Sequence, residues 1–131
     1  MMKNYSVIEE IKKILELHDV KIVVKNSIVK AKIGDTPFNL VIDLKDIGKN
    51  IVNVSLEFEE DPSEYLEKLL EEHDDINAFR DAVEIIVDEI HNINSKLMVV
   101  LRKKGIDVVS SVIEDLDEIN DVIEELIEER G

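Results

Sequence analysis

Apolar and polar residues alternate with a period of two between residues 20 and 58, the pattern typical of half-buried β-strands. Two short turns, Asn-Ser at residues 26–27 and Gly-Asp at residues 34–35, interrupt this alternation, and both use residues that tolerate the positive φ of tight hairpin loops. If each loop has two residues, both hairpin registers place apolar side chains on the same side of the sheet. Because a slip of one residue would turn that set towards solvent, the pattern predicts an antiparallel β-meander over residues 20–58.

One face of this predicted sheet is strongly apolar. A fourth strand, from Ile51 to Phe58, follows a loop that contains Gly48. The residues expected on the inner face are Val20, Ile22, Val24, Val29, Ala31, Ile33, Phe38, Leu40, Ile42, Leu44, Val52, Val54, Leu56 and Phe58. A sheet with such a face is not stable alone, so helices must cover it.

Helical patterns flank the strand region on both sides. Residues 5–17 predict an N-terminal helix, whose apolar stripe is expected to consist of Val7, Ile8, Ile11, Ile14, Leu15 and His18. The Asp-Pro pair at residues 61–62 is a strong helix start, and that helix is expected to end near His73. A second middle helix is expected over residues 75–94, and a capping pattern at Asp115 predicts the start of a C-terminal helix.

Residues 96–113 admit two interpretations. Their β-branched valines, on both sides of a basic Lys-Lys-Gly turn at residues 103–105, favour a β-hairpin. Alternatively, the helical spacing continues through Leu101, Gly105 ends the helix, and a long antiparallel helical hairpin covers residues 75–130. The β-hairpin is the preferred interpretation.

Length and charge restrict the class of protein. The chain has 131 residues, a formal net charge of −15 and no cysteine, and its length predicts a single α+β domain over residues 1–131. Residues 51–95 hold 14 acidic residues against two basic ones, so nucleic acid is not expected as a partner. Neither a membrane-spanning run nor a signal-peptide pattern is present, which predicts a cytoplasmic protein that does not bind membranes. Abundant Lys and Glu without Cys is typical of a thermophile.

No residue pattern indicates a catalytic centre or a cofactor. The histidines His18, His73 and His91 are too far apart in sequence to share a metal on one helix. Asp88 and His91 have helical spacing, but a metal site there would need carboxylates from facing helices. We therefore expect no cofactor and no enzymatic activity. The alternative is a metal-dependent or acid–base enzyme that uses helical acids and His91.

The outer face of the predicted sheet combines apolar residues with lysines. The candidate interface residues are Val23, Ile28, Val41, Ile51, Lys21, Lys30 and Lys32. An exposed apolar band with a polar rim often marks an interaction site. The competing interpretation is a solvated face on which lysines prevent aggregation.

The order of these elements resembles the type III secretion chaperone-like fold, which includes YbjN-type proteins. The similar parts are the helix at residues 5–17, the meander, the two strands within residues 96–112 and the helix over residues 115–129. The resemblance implies a homodimer that binds other proteins without enzymatic activity, and it transfers no site residue. The expected function is thus a homodimeric protein-binding or chaperone-like module that uses the sheet face or an open strand edge. A further hypothesis is that the acidic helices capture basic peptides.

Overall fold

The computed structural model describes residues 2–130, and the side chains of residues 6–129. The elements follow one another as α1 (Met2–Leu15), β1 (Val20–Lys25), β2 (Ile28–Ile33), β3 (Phe38–Asp43), a 3₁₀ turn (Ile47–Lys49), β4 (Ile51–Phe58), α2 (Pro62–Glu72), α3 (Ile76–Lys103), β5 (Asp107–Ser110) and α4 (Val112–Arg130). The predicted α+β class is confirmed, because the described strands form one sheet in the order β1-β2-β3-β4-β5 with helices packed against it.

The first predicted hairpin register is confirmed, because β1 pairs antiparallel with β2 so that Val24 faces Val29. The second is wrong by two residues. A two-residue loop at residues 34–35 predicts Ala31 opposite Phe38, but the loop covers residues 34–37 and Ala31 faces Leu40. Because the shift is an even number of residues, the same side chains stay on the inner face. Asn26 and Gly34, the first residues of the two loops, adopt positive φ values of 56° and 51°, as tight hairpin loops require. β4 continues the meander, antiparallel to β3.

The helix layer lies on the predicted inner face of the sheet. The sheet residues that it buries are Val29, Ala31, Ile33, Phe38, Leu40, Ile42, Val52, Val54 and Leu56. Fully buried helix residues such as Ile11, Leu66, Ile90 and Leu101 belong to the same core. The prediction for Val24 is wrong in one respect. Its register places it on the inner side, but its side chain is 42% exposed because the helices do not reach that corner of β1.

The preferred β-hairpin at residues 96–113 is wrong in its first half. α3 runs without interruption to Lys103, and Gly105, at φ 80°, reverses the chain after it. Leu97 and Leu101 are fully buried, and this core contact outweighs the weak preference of Val99 and Val100 for strands. The alternative of a long helical hairpin over residues 75–130 is also wrong, because a strand separates α3 from α4.

β5 pairs parallel with β4 and not with a neighbouring hairpin strand. Parallel neighbours need a long crossover connection, which α2 and α3 provide here. The C-terminal helix begins at Val112, three residues before the start predicted at Asp115, and α1 ends at Leu15, before the predicted Leu17. Asp61 and Asp75 cap α2 and α3 by accepting hydrogen bonds from backbone N–H groups. Within residues 2–130, the helices lack the combination of length and apolar character that a membrane crossing requires.

Candidate functional site

The candidate interface residues lie on the sheet face opposite the helices. Val23, Lys30 and Val41 form one cross-strand row, and Ile28 lies in the next row, opposite Asp43. Val23 is 61% exposed, whereas Ile28 and Val41 are half-buried among the neighbouring long side chains. The structure therefore brings three of the four predicted apolar residues together.

The fourth apolar residue, Ile51, lies apart from this cluster. Asp43 faces Asn53 across the β3–β4 pair, and these two polar residues separate Ile28 from Ile51. Asn53 also donates a hydrogen bond from Nδ2 to Asp46 Oδ2 at 3.0 Å. The apolar surface on the outer face is consequently centred on β1 and β2.

Glu57 on β4 and Glu59, which directly follows this strand, neutralise lysines of this face. Lys30 Nζ lies 3.1 Å from Glu57 Oε2, and Lys32 Nζ lies 3.0 Å from Glu59 Oε2. Glu59 also accepts a hydrogen bond from Asn39 Nδ2 at 3.1 Å. The hydrogen bond from Lys32, and then that from Asn39, holds the pKa of Glu59 below its ordinary value.

This role of Glu57 and Glu59 was absent from the sequence predictions. The signal was present, because Glu57 and Glu59 continue the outward alternation of β4. Their side chains meet those of the β2 lysines across β3, where Asn39 lies between Lys32 and Glu57. The remaining candidate lysine, Lys21, faces Lys32, and its Nζ lies 3.8 Å from Asp35. The outer face is therefore a surface of balanced charge rather than a basic one.

The β1 edge of the sheet carries backbone groups that point away from the other strands. Gly34 N–H donates to the Asp19 carbonyl at 3.0 Å, so the odd-numbered residues of this segment hydrogen-bond to β2. Ile22 and Val24 therefore direct their N–H and C=O groups to the open side. The carbonyl of Val20 points the same way, while its N–H donates to the His18 carbonyl at 3.0 Å. Such an edge is a template for another extended segment.

A histidine and a glutamate meet where α1 leads into β1. His18 was predicted on the apolar stripe of the N-terminal helix, but α1 ends at Leu15 and His18 lies in the following turn. His18 Nδ1 is 2.7 Å from Glu89 Oε1 on α3. The His18 side chain is only 10% exposed, and its Nε2 is buried without a hydrogen-bond partner. The two residues are 71 positions apart, and no local pattern indicates how the two helices dock.

A cleft of about 530 Å³ lies beside this pair. Its lining residues are Leu17, His18, Asp19, Ile33, Gly34, Asp35, Thr36, Ile85, Ile86 and Glu89. Leu17 and Ile85, at its mouth, are 73% and 71% exposed, the two most exposed large apolar side chains among those described. The cleft thus combines apolar walls with carboxylates and one buried imidazole nitrogen.

The other histidines are used differently. His73 Nδ1 donates to the Leu69 carbonyl at 2.7 Å and so satisfies a backbone group at the end of α2. His91 is half-buried on α3, and Asp88 is exposed. Within the described part of the chain, no three His, Asp or Glu side chains are grouped so that they could hold a metal ion.

Comparison with known proteins provides no relative for this chain. No family model, no curated protein and no solved structure matches it. Because a fold alone does not specify a function, the function must be inferred from the geometry of the β1 edge, the outer face and the His18 cleft.

Proposed function

We propose that this chain is a non-enzymatic protein-binding module that forms a homodimer by pairing its β1 edge with the β1 edge of a second copy. The observation that carries the proposal is the unpaired side of β1, where Ile22 and Val24 present N–H and C=O groups. Val23 and Val24, exposed on opposite sides of this strand, flank those groups with apolar surface. Strand addition gives affinity through backbone hydrogen bonds and specificity through alternate side chains.

The charges along β1 select one register for this pairing. In an antiparallel pair centred on Ile22, Val20 faces Val24 of the partner subunit and Asp19 faces Lys25 of the partner subunit. An alternative pair centred on Val23 places Lys21 opposite Lys25 of the partner subunit, a like-charge contact that occurs twice and is unfavourable. The favoured register joins the two sheets into one, with both helix layers on the same side.

Pairing also doubles the open outer face. Val23 lies on β1 and Ile28 on β2, so these residues of the two copies come close together on the outer side of the new strand pair, while Val41 lies further away on β3. We assign this combined surface to a second protein, because exposed apolar surface with a charged rim is typical of interaction sites. In this arrangement Val41 contributes to partner binding and not to dimer formation.

A valine substitution on each edge of the sheet tests the dimer. A short strand pair buries less surface than a standard interface, so we expect a dissociation constant in the micromolar range. Analytical ultracentrifugation from about 10 to 500 µM should show a rise towards twice the chain mass of 15.0 kDa. Val24→Lys should shift the midpoint at least about tenfold upwards, because it places a charge opposite Val20 of the partner subunit.

Val109→Lys is the matched control. Val109 is an exposed valine on β5, the strand at the opposite edge, so this variant adds the same charge without touching β1. The control should dimerise like the unmodified protein, and so should Val41→Lys. A monomer at every concentration would contradict the proposal. A dimer weakened by Val41→Lys but not by Val24→Lys would instead indicate that the sheets pack face to face.

A charge exchange tests the register. Asp19→Lys alone should weaken the dimer, because it faces Lys25 of the partner subunit in the favoured pairing. The double variant Asp19→Lys/Lys25→Asp restores an opposite-charge contact and should recover most of the loss. Failure of the double variant to recover would exclude the register centred on Ile22.

A further inference from the structure

We infer that the cleft beside His18 binds a primary ammonium group carried on an aliphatic chain. The inference does not depend on the proposed dimer, although Asp19 both lines the cleft and lies at the end of the proposed strand pair. Its starting point is the imidazole of His18, nine-tenths buried, with one ring nitrogen bonded to protein and the other covered and without a partner. The side chains that cover this nitrogen must move aside for a ligand group to reach it.

The hydrogen bond to Glu89 determines what the second nitrogen offers. A carboxylate can only accept hydrogen bonds, so His18 Nδ1 must donate its proton to Glu89 Oε1 across the 2.7 Å contact. In the neutral ring Nε2 then carries a lone pair and accepts. A ligand group that satisfies this nitrogen must therefore be a donor, such as an N–H or O–H group.

Charge in the cleft selects a cationic donor. Asp19, Asp35 and Glu89 all line the cleft, and no lysine or arginine is among its lining residues. Lys21 Nζ lies 3.8 Å from Asp35, and both side chains are mostly exposed. Carboxylates around an acceptor favour an ammonium over a neutral hydroxyl group and disfavour an anion.

The walls of the cleft select an aliphatic body. Leu17 and Ile85 are strongly exposed at the mouth, and Ile33 and Ile86 lie deeper. Burying the two exposed side chains against an alkyl chain removes apolar surface from water. The volume of about 530 Å³ falls within the range of small-molecule sites, about 300 to 1,000 Å³. An alkylammonium matches the charge and the apolar walls together.

Three probes that share one alkyl chain separate head-group recognition from apolar binding. Hexylammonium, hexan-1-ol and hexanoate are titrated into the full chain by isothermal calorimetry at about pH 8, where free imidazole is neutral. We expect saturable one-to-one binding of hexylammonium, and binding of hexanoate weaker by at least about tenfold. Equal binding of all three probes, or no saturable binding of hexylammonium, would overturn the inference.

Substitution of His18 identifies the acceptor. His18→Phe preserves a flat ring but removes both nitrogens, and it should weaken hexylammonium binding by at least about tenfold. His91→Phe is the matched control, since His91 is half-buried on α3 and does not line the cleft. Undiminished binding in His18→Phe would contradict the assignment.

A measurement on the unmodified protein covers the case in which His18→Phe does not fold. The ¹⁵N resonance of His18 Nε2, observed through its long-range coupling to the ring protons, should shift when hexylammonium is added. Hexanoate at the same concentration should leave it unchanged. An Nε2 resonance that hexylammonium does not move would show that the ammonium does not reach this nitrogen.

Discussion

The two edges of the sheet are positioned in opposite ways. β5 pairs parallel with β4, and side chains from the helix layer hold it: Ser110 Oγ donates to the buried Asn94 on α3 at 2.9 Å. Where β5 ends, Asp115 of α4 accepts the Leu56 N–H at 3.0 Å, in the place of the next strand residue. β1 has no such contacts, and its exposed valines and free backbone groups face solvent.

This difference follows from how each strand reaches the sheet. β1 is positioned by a two-residue turn, so its place is determined locally and requires no helix. β5 arrives through a crossover of two helices, so its place depends on how those helices pack. Removing the contacts that hold β5 should therefore lower the stability of the whole chain, whereas disturbing the β1 edge should change association and surface charge.

The largest expected effect is at the chain reversal before β5. Leu101 is fully buried, and its carbonyl accepts the N–H groups of Lys104 and Ile106. Leu101→Ala should lower the free energy of unfolding by about 2 to 5 kcal/mol, because it removes apolar contact and creates a cavity. Val99→Ala, an exposed position one half-turn earlier, should change it by less than about 0.5 kcal/mol. Urea denaturation of both variants measures the difference, and similar losses would refute the assigned role of Leu101.

Removing the Asp115 carboxylate, which accepts the Leu56 N–H where β5 has ended, should have the next largest effect on stability. Asp115→Ala leaves the partly buried Leu56 N–H without its acceptor and should cost about 1 to 3 kcal/mol. It also removes the contact from Ser111 Oγ to Asp115, which is 3.1 Å long. Asp117→Ala is the control, since Asp117 is exposed two residues further along α4. If Asp115→Ala and Asp117→Ala change the free energy of unfolding equally little in urea denaturation, the Asp115 carboxylate does not stabilise the β5 edge.

Comparing alanine substitutions at Gly105 and Gly48 measures how much the backbone conformation of Gly105 contributes to the chain reversal between α3 and β5. A Cβ added at Gly105 or at Gly48 would meet nothing within 4 Å, so neither substitution causes a clash. Gly105 has φ 80°, however, whereas Gly48 lies outside the positive-φ region. Gly105→Ala should cost about 1 kcal/mol, and Gly48→Ala should be neutral or slightly stabilising. Thermal denaturation of the two variants compares them, and equal melting temperatures would count against a conformational role for Gly105.

Local rules explain which parts of the fold could be predicted. The register of β1 with β2, and the inner face of β1, β2 and β3, follow from short loops and local alternation. The β2–β3 register was predicted wrongly by two residues, because the loop between these strands has four residues and not two. The region around Val99 and Val100 could not be assigned in this way, because burial of Leu97 and Leu101 in the core decides for helix. The parallel strand β5 depends on a partner more than 50 residues away, for which the sequence has no pattern.

In the candidate site too, the features set by local alternation were predicted and those set by long-range packing were not. Val23, Ile28 and Val41 were predicted on one face because strand alternation fixes the face. The pairing of His18 with Glu89 depends on how α3 docks beside the end of α1, a contact across 71 residues. Similarly, the exposure of Val24 depends on where the helix layer ends, and alternation assigns only its side of the sheet.

The smallest expected effect concerns the exposed ion pair of Lys32 and Glu59 near the β1 edge. The hydrogen bond from Lys32 is the main reason that the pKa of Glu59 lies below its ordinary value of 4.5. Lys32→Met should therefore raise this pKa, as followed by a ¹³C NMR titration of the side-chain carboxyl groups. Lys45→Met is the control, because Lys45 contacts Asp43 and not Glu59.

The sign of the linked stability change follows from the lowered pKa. A carboxyl group that is more acidic in the folded state contributes stability above its unfolded pKa, and that contribution is lost as the pH falls through the folded value. The difference in stability between the unmodified protein and Lys32→Met should accordingly shrink as the pH falls below 4.5. Because the pair is exposed, the difference should also shrink with added salt. A difference that persists in acid and in salt would mean that Lys32 stabilises the sheet through packing of its aliphatic chain over β3 and not through charge.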